Sequence, residues 1–172
     1  MRGNEGDDDY YVGRSGDEVI ENSSAGGLDR VYSTITYRLP TNVEQLVLTS
    51  SGAVSGTGNN DDNLLRGAGG ENLLRGRGGA DTLSGGLGED TLVGGTGSDT
   101  FRFTSASDPD VTDIIRAGDD GAAFFRPGER GGDLIDLSSI DADRTVSGNQ
   151  SFTFGGPHTA GHIWLDNPAA IP

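Results

Sequence analysis

Five gapless copies of a nine-residue unit occupy the middle of the chain and constrain its fold more than any other feature. Counting from Gly58, the units are GNNDDNLLR, GAGGENLLR, GRGGADTLS, GGLGEDTLV and GGTGSDTFR, and the last one ends at residue 102. Position 8 of the unit is always large and apolar, and position 6 is always Asn or Asp. One apolar residue in nine cannot form a helical stripe with a period of 3.6, so the repeat indicates a short strand followed by a turn.

Two units complete one coil with two strands and two turns, and successive coils are predicted to stack as parallel strands. Because side chains alternate along a strand, position 8 points inward while its neighbours point outward. Alternate units then form two inner walls, one made by Leu65, Leu83 and Phe101 and the other by Leu74 and Leu92. Leu46 and Leu48, before the repeats, are also predicted core residues. The predicted fold is all-β: a right-handed parallel β-roll with irregular β flanks.

Position 6 of the unit places carboxylates and amides where stacked turns would bring them together. Equivalent residues two units apart would lie about 4.7–4.9 Å apart, a spacing at which two carboxylates repel. Calcium–oxygen bonds are about 2.3–2.6 Å long, so a calcium ion between two coils could bind both. The predicted pairs, in order of preference, are Asp81/Asp99, Asn72/Asp90, Asn63/Asp81 and, by continued counting, Asp90/Asp108. The turn glycines would contribute carbonyl oxygens; they are Gly76, Gly79, Gly85, Gly86, Gly88, Gly94, Gly95 and Gly97.

Two of the units resemble a known repeat. GGLGEDTLV and GGTGSDTFR are similar to the GGxGxDxUx nonapeptide of RTX (repeats-in-toxin) proteins, which form a calcium-binding parallel β-roll. Downstream, GDLIDLSSIDAD at 132–143 resembles the segment after the repeats in serralysin-type proteases and alginate epimerase modules. The resemblance implies three parts: an N-terminal β flank at 1–57, the roll at 58–102 and a serralysin-like cap at 103–172. It also implies calcium as the cofactor, export by type I secretion machinery and an extracellular location.

Charge and composition narrow the classes of partner. The formal net charge is −15, from 27 acidic and 12 basic residues, so the chain repels nucleic acids and anionic membranes. No apolar run is long enough to span a membrane, and the start of the chain lacks the apolar segment of a secretory signal peptide. Taken alone, these features favour a cytosolic protein or one exported by another route, whereas the resemblance to RTX proteins implies secretion without an N-terminal signal.

A catalytic function is not expected for these residues. His158 and His162 lack the glutamate and the helix of a zinc-protease H-E-x-x-H motif, and no catalytic constellation stands out. We expect a monomeric, non-enzymatic calcium-binding module of a secreted bacterial-type protein. Two alternatives remain open: the non-catalytic part of a serralysin-like metalloprotease or polysaccharide epimerase or lyase, and a structural protein of a surface or matrix.

Overall fold

The computed structural model describes residues 1–3, 5–22, 27–104, 113–116, 133–139, 153–154 and 162–163. Within these ranges all regular secondary structure is β-strand, and no helix capable of crossing a membrane is present among them. The chain divides into two compact units, Met1–Ser138 and Ser139–Pro172. In the second unit, β13 (Thr153–Phe154) pairs in parallel with β14 (His162–Ile163).

Two parallel sheets make up the first unit, and from the second strand onward the chain passes alternately from one sheet to the other. This alternation makes the first unit a parallel β-solenoid, and the predicted all-β parallel roll is confirmed. The seven-stranded sheet contains, in spatial order, β1 (Asp9–Val12), β2 (Arg30–Ser33), β4 (Gln45–Leu48), β6 (Leu64–Arg66), β8 (Thr82–Ser84), β10 (Thr100–Thr104) and β12 (Leu134–Ser139). The five-stranded sheet contains β3 (Tyr37–Arg38), β5 (Ser55–Thr57), β7 (Leu73–Gly78), β9 (Thr91–Thr96) and β11 (Ile114–Arg116).

The predicted inner walls are confirmed by the strand register. On one wall, Leu83 lies opposite both Leu65 and Phe101. On the other wall, Leu74 lies opposite Leu92. All five side chains are at most 1% exposed, so the period of nine places one apolar side chain of every unit in the core.

Residues before the repeats extend the same core. Leu46 is opposite Leu65 and Val31 is opposite Leu46, and the predicted burial of Leu46 and Leu48 is confirmed. The two sheets approach closely here, because a Cβ on Gly56 would lie 3.0 Å from methyl carbons of Leu46 and Leu74. The predicted division at residues 57 and 102 remains a prediction, and strands on both sides of each point lie in the same sheets.

The strand register also fixes where the chemistry lies. Each strand of the repeat region begins at position 7 of its unit, since Leu64, Thr82 and Thr100 open β6, β8 and β10. Position 6 is therefore the residue immediately before a strand. In a parallel stack these residues must lie side by side along one edge of each sheet.

Candidate metal centre

The residues immediately before the strands form two rows, which we call the first and second position-6 rows. Their members are Asp, Glu or Asn, and some of them lie outside the nonapeptide repeats. The first row precedes the seven-stranded sheet and contains Asp8, Asp29, Glu44, Asn63, Asp81, Asp99 and Asp133. The second row precedes β7, β9 and β11 of the five-stranded sheet and contains Asn72, Asp90 and Asp113.

Most neighbours within each row are joined by the same kind of hydrogen bond, from a backbone N–H to a side-chain oxygen of the next coil. The backbone N–H of Asn63 donates to Asp81 Oδ1 at 2.8 Å, and that of Asp81 donates to Asp99 Oδ1 at 2.9 Å. In the second row, the N–H of Asn72 donates to Asp90 Oδ1 at 2.8 Å. The structure therefore brings together three of the predicted pairs, and one oxygen of each carboxylate contacts the preceding coil.

In Asp81 and Asp90, the second carboxylate oxygen is left without a hydrogen-bond partner among the described residues of the protein. Asp81 and Asp90 are each 1% exposed, and in the described part of the chain nothing donates a hydrogen bond to either Oδ2. Burial raises the pKa of Asp81 to about 7, and the charge of Asp99 contributes in the same direction. Burial likewise raises the pKa of Asp90 to about 6, with a smaller contribution from Asp113. A buried carboxylate in this state requires a cation or a proton.

Glycine carbonyls lie close to these oxygens. A Cβ on Gly76 would be 2.1 Å from Asp81 Oδ2 and 2.4 Å from the carbonyl oxygen of Gly94. The two oxygens are therefore at most 4.5 Å apart, the sum of those distances. Carboxylate and backbone carbonyl oxygens are the donors that calcium takes, so these residues fit the ion that the sequence implies. Position 1 must be glycine, because any side chain there would overlap the carboxylate.

The aspartate units share one turn conformation that depends on glycine. Positions 2 and 4 have positive φ at Gly86 and Gly88, and again at Gly95 and Gly97. A Cβ on Gly95 would lie 2.1 Å from the carbonyl oxygen of Arg77 in the coil below. Arg77 itself occupies position 2 of its unit at a φ of 93°, a conformation that L residues rarely adopt. The turn therefore imposes this backbone even where glycine is missing.

The two asparagine units close their turns differently. The N–H of Ala68 donates to Asn72 Oδ1 at 2.8 Å, and the amide Nδ2 of Asn72 donates to the carbonyl of Val54 at 2.9 Å. Asn63 likewise accepts the N–H of Asn59 at 2.8 Å. Both amides are thus hydrogen-bonded by the protein itself, whereas Asp81 and Asp90 each keep one oxygen unsatisfied. The assignment of calcium ligands among these residues stays a prediction.

The continued count fails after the last repeat. It gives position 6 of the next coil to Asp108, which lies outside the described residues, whereas the structure places Asp113 at that register position. Asp113 Oδ1 accepts the N–H of Asp90 at 2.9 Å, and Ile114 lies opposite Thr91. The coil after the repeats is therefore five residues longer than nine-residue counting allows. Asp133 occupies the equivalent place beside Asp99, and its Oδ1 accepts the N–H of Asp99 at 3.0 Å.

A second group of carboxylates lies at the N-terminal end of the first row. Asp8, Glu21 and Asp29 each offer a ligand oxygen, and these atoms lie within 4.8 Å of one another. Tyr10 donates a hydrogen bond to Glu21, and burial raises the pKa of the Tyr10 phenol above its usual range, as does that bond. The segment GNEGDDDYY at 3–11 is an isolated near-match to the nine-residue unit with Asp8 at position 6, whereas nothing in the sequence points to Glu21.

Comparison with known proteins agrees with this geometry. The family model for the RTX calcium-binding nonapeptide repeat matches residues 57–92 and 84–102, with four copies in the chain. The chain therefore carries calcium-binding nonapeptide repeats of the RTX type at residues 57–102. It is also similar to "Endo-1,3-1,4-beta-glycanase ExsH" of Rhizobium meliloti (strain 1021), with 37% identity over 70 residues. That match covers 41% of this chain but only 15% of the glycanase. The resemblance to serralysins and epimerases stays a prediction.

Proposed function

We propose that calcium binding to the position-6 rows drives folding of this module, and that the protein is secreted and folds outside the cell. The observation that carries the proposal is the pair of buried, unpartnered oxygens, Asp81 Oδ2 and Asp90 Oδ2. Each lies in a turn where burial of an ionised carboxylate is unfavourable without a counter-charge. A divalent cation would reverse that penalty, because it is attracted to carboxylates in both coils.

The free energy of calcium binding is large enough to switch folding on. An extracellular-type calcium site has a Kd of about 10⁻⁴–10⁻³ M, and at about 1 mM calcium the tighter end adds about 1.4 kcal/mol per site. Three or four sites would contribute about 4–6 kcal/mol, comparable with the whole stability of a small domain. At submicromolar calcium the contribution vanishes. The net charge of −15 then opposes compaction of the thin core.

Circular dichroism and calorimetry test the folding switch directly. The calcium-free protein, prepared with a chelator, should show a largely unfolded spectrum, and millimolar calcium should restore β-structure and a cooperative thermal transition. Magnesium at the same concentration is the matched control and should restore much less, because it prefers a tight octahedron and keeps its waters. A full β-spectrum in chelator, with a melting temperature that calcium does not change, would contradict the proposal.

Secretion is the second part of the proposal. RTX repeats typify secreted bacterial proteins, and a chain that stays unfolded at low internal calcium could cross a type I secretion channel before folding. Production in a bacterial host with and without a type I exporter should place the protein in the medium only with the exporter. Light scattering in calcium should give the mass of a monomer. Equal amounts in the medium of both hosts would contradict export by this route.

A second candidate is favoured by the similarity to the Rhizobium glycanase, namely that this module is the non-catalytic part of a polysaccharide-modifying enzyme. On this candidate the catalytic residues belong to another part of the parent protein, so the isolated chain should release no sugars from a mixed-linkage β-glucan. The open reading frame that encodes this chain should then also encode a catalytic module. Glucan hydrolysis by the purified chain would instead show that the chain is itself an enzyme.

A further inference from the structure

Asp113, which neighbours Asp90 in the second position-6 row, lies beyond the segment that matches the repeat family. The family match ends at residue 102, whereas β11 begins at Ile114 and continues the five-stranded sheet with Ile114 opposite Thr91. This register sets Asp113 beside Asp90. The N–H of Asp90 donates to Asp113 Oδ1 at 2.9 Å, the same bond that joins Asn72 to Asp90 and Asp81 to Asp99.

The unpartnered oxygen of Asp90 lies within its own turn, and the backbone N–H of the same residue reaches the coil that carries Asp113. In three turns of the repeat, a side-chain oxygen of the position-6 residue lies near the position-1 carbonyl of the next coil. For Asp81 that carbonyl belongs to Gly94, for Asn72 to Gly85 and for Asn63 to Gly76. Asp90 has the same backbone register, and its Oδ2 lies 2.0 Å from the point where a Cβ on Gly85 would stand. This oxygen belongs to a residue that is 1% exposed, and it accepts no hydrogen bond within the described residues.

Asp113 brings a negative charge to this position, whereas the asparagine turns of the repeat do not. Asn72, the other neighbour of Asp90 in the second row, is satisfied by its own turn and carries no charge. Asp113 is a carboxylate in a half-buried position, and burial raises its pKa. Asp90 therefore has one neutral, hydrogen-bonded neighbour and one acidic neighbour, and only the acidic one adds a charge that attracts a cation.

We infer that Asp90 and Asp113 bind a divalent cation of the calcium class between the last repeat of the second row and the coil that follows the repeats. This site deepens the proposed function, on which it rests, by adding a site that the nonapeptide pattern cannot identify. Its position beyond residue 102 means that calcium would also order chain that is not repetitive, at the C-terminal end of the five-stranded sheet.

The test compares Asp113→Asn with Glu89→Gln in calcium titration calorimetry of the full chain. Asparagine can still accept the N–H of Asp90, so the variant keeps the hydrogen bond between coils and removes one charge. Glu89 precedes Asp90 but is exposed, and Glu89→Gln removes the same charge without touching the site. We expect Asp113→Asn to lower the calcium stoichiometry by one and Glu89→Gln to leave it unchanged. An unchanged stoichiometry in Asp113→Asn would overturn the inference.

A second readout does not depend on the variant folding. In the unsubstituted protein, kept folded at low calcium by an osmolyte, backbone amide resonances of Asp90 and Ile114 should shift during calcium titration, together with those of Asp81 and Thr100. Shifts at Asp81 and Thr100 without shifts at Ile114 would overturn the added site while leaving the proposed function intact. Absence of any calcium-dependent shift would instead overturn both, so the two failures are distinguishable.

Discussion

Asp81→Asn should have opposite effects on stability with and without calcium. Asp81 is the shared member of two predicted pairs, since its Oδ1 accepts the N–H of Asn63 and its own N–H donates to Asp99. In the calcium-free protein its buried Oδ2 has no donor. A buried, unsatisfied polar group costs about 1–3 kcal/mol. The asparagine amide is neutral, and its N–H₂ group can donate a hydrogen bond to the nearby Gly94 carbonyl. The calcium-free variant should therefore be more stable by about that amount.

In calcium the sign should reverse. The variant loses one charge from each of the two pairs, and each site lost removes about 1.4 kcal/mol at about 1 mM calcium. Denaturation midpoints measured in chelator and in calcium give both values, and an osmolyte can raise the folded fraction where the calcium-free protein is mostly unfolded. Glu71→Gln is the matched control, because Glu71 is exposed and its removal changes the net charge equally. It should have little effect in either condition.

The pH dependence should follow the same carboxylate. In the calcium-free protein the pKa of Asp81 is about 7 when folded and near its ordinary value of 3.8 when unfolded. Between these values the folded state binds more protons, so the free energy of unfolding should rise as the pH falls from about 8 toward 4. Asp81→Asn should flatten this dependence. With calcium present the proton competes with the ion, and apparent calcium affinity should fall below about pH 7.

A calcium-free Asp81→Asn variant that is less stable than the unsubstituted protein would refute the reasoning. Such a result would mean that Oδ2 already has a favourable partner in solution. Unchanged calcium stoichiometry in the same variant would separately refute the role of Asp81 in joining neighbouring coils.

Three further sets of substitutions test the core and the turns, each by denaturation in saturating calcium. Leu83→Ala and Leu92→Ala should each lower the free energy of unfolding by about 2–4 kcal/mol, because both side chains are fully buried. Thr82 points outward, so Thr82→Ala should lower it by well under about 1 kcal/mol. The reverse ranking would mean that the strand register is wrong. Arg77→Gly should stabilise by up to about 1 kcal/mol by relieving the positive φ, and an equal gain in Arg77→Ala would contradict this cause. Gly95→Ala should cost more than about 2 kcal/mol, since its φ is 112° and the new methyl would overlap a carbonyl; a neutral result would exclude the turn described here.

Inside the repeats, the sequence was sufficient to predict the fold and the neighbours at the candidate site. A fixed period of nine leaves one register in which every position 8 is buried, and a slip by one residue would expose Leu65, Leu74 and the rest of both walls. The same register determines which position-6 residues are adjacent. The turn hydrogen bonds were not predictable, because Asn72 and Asp90 occupy equivalent positions in the repeat, and only the structure shows that the turn of Asn72 donates to its side chain while Asp90 Oδ2 receives no donor.

Outside the repeats the sequence has no period, and tertiary structure decides which residues meet. Asp29 follows Asp8 by 21 residues and precedes Glu44 by 15, yet all three belong to the first row. Asp113 follows Asp90 by 23 residues, so nine-residue counting reaches Asp108 instead. Coil length varies in these segments because the loops need only return the chain to the next strand. Parallel strand pairing and burial of the inward apolar side chains then select the register, and with it the acidic residue that lies before each strand.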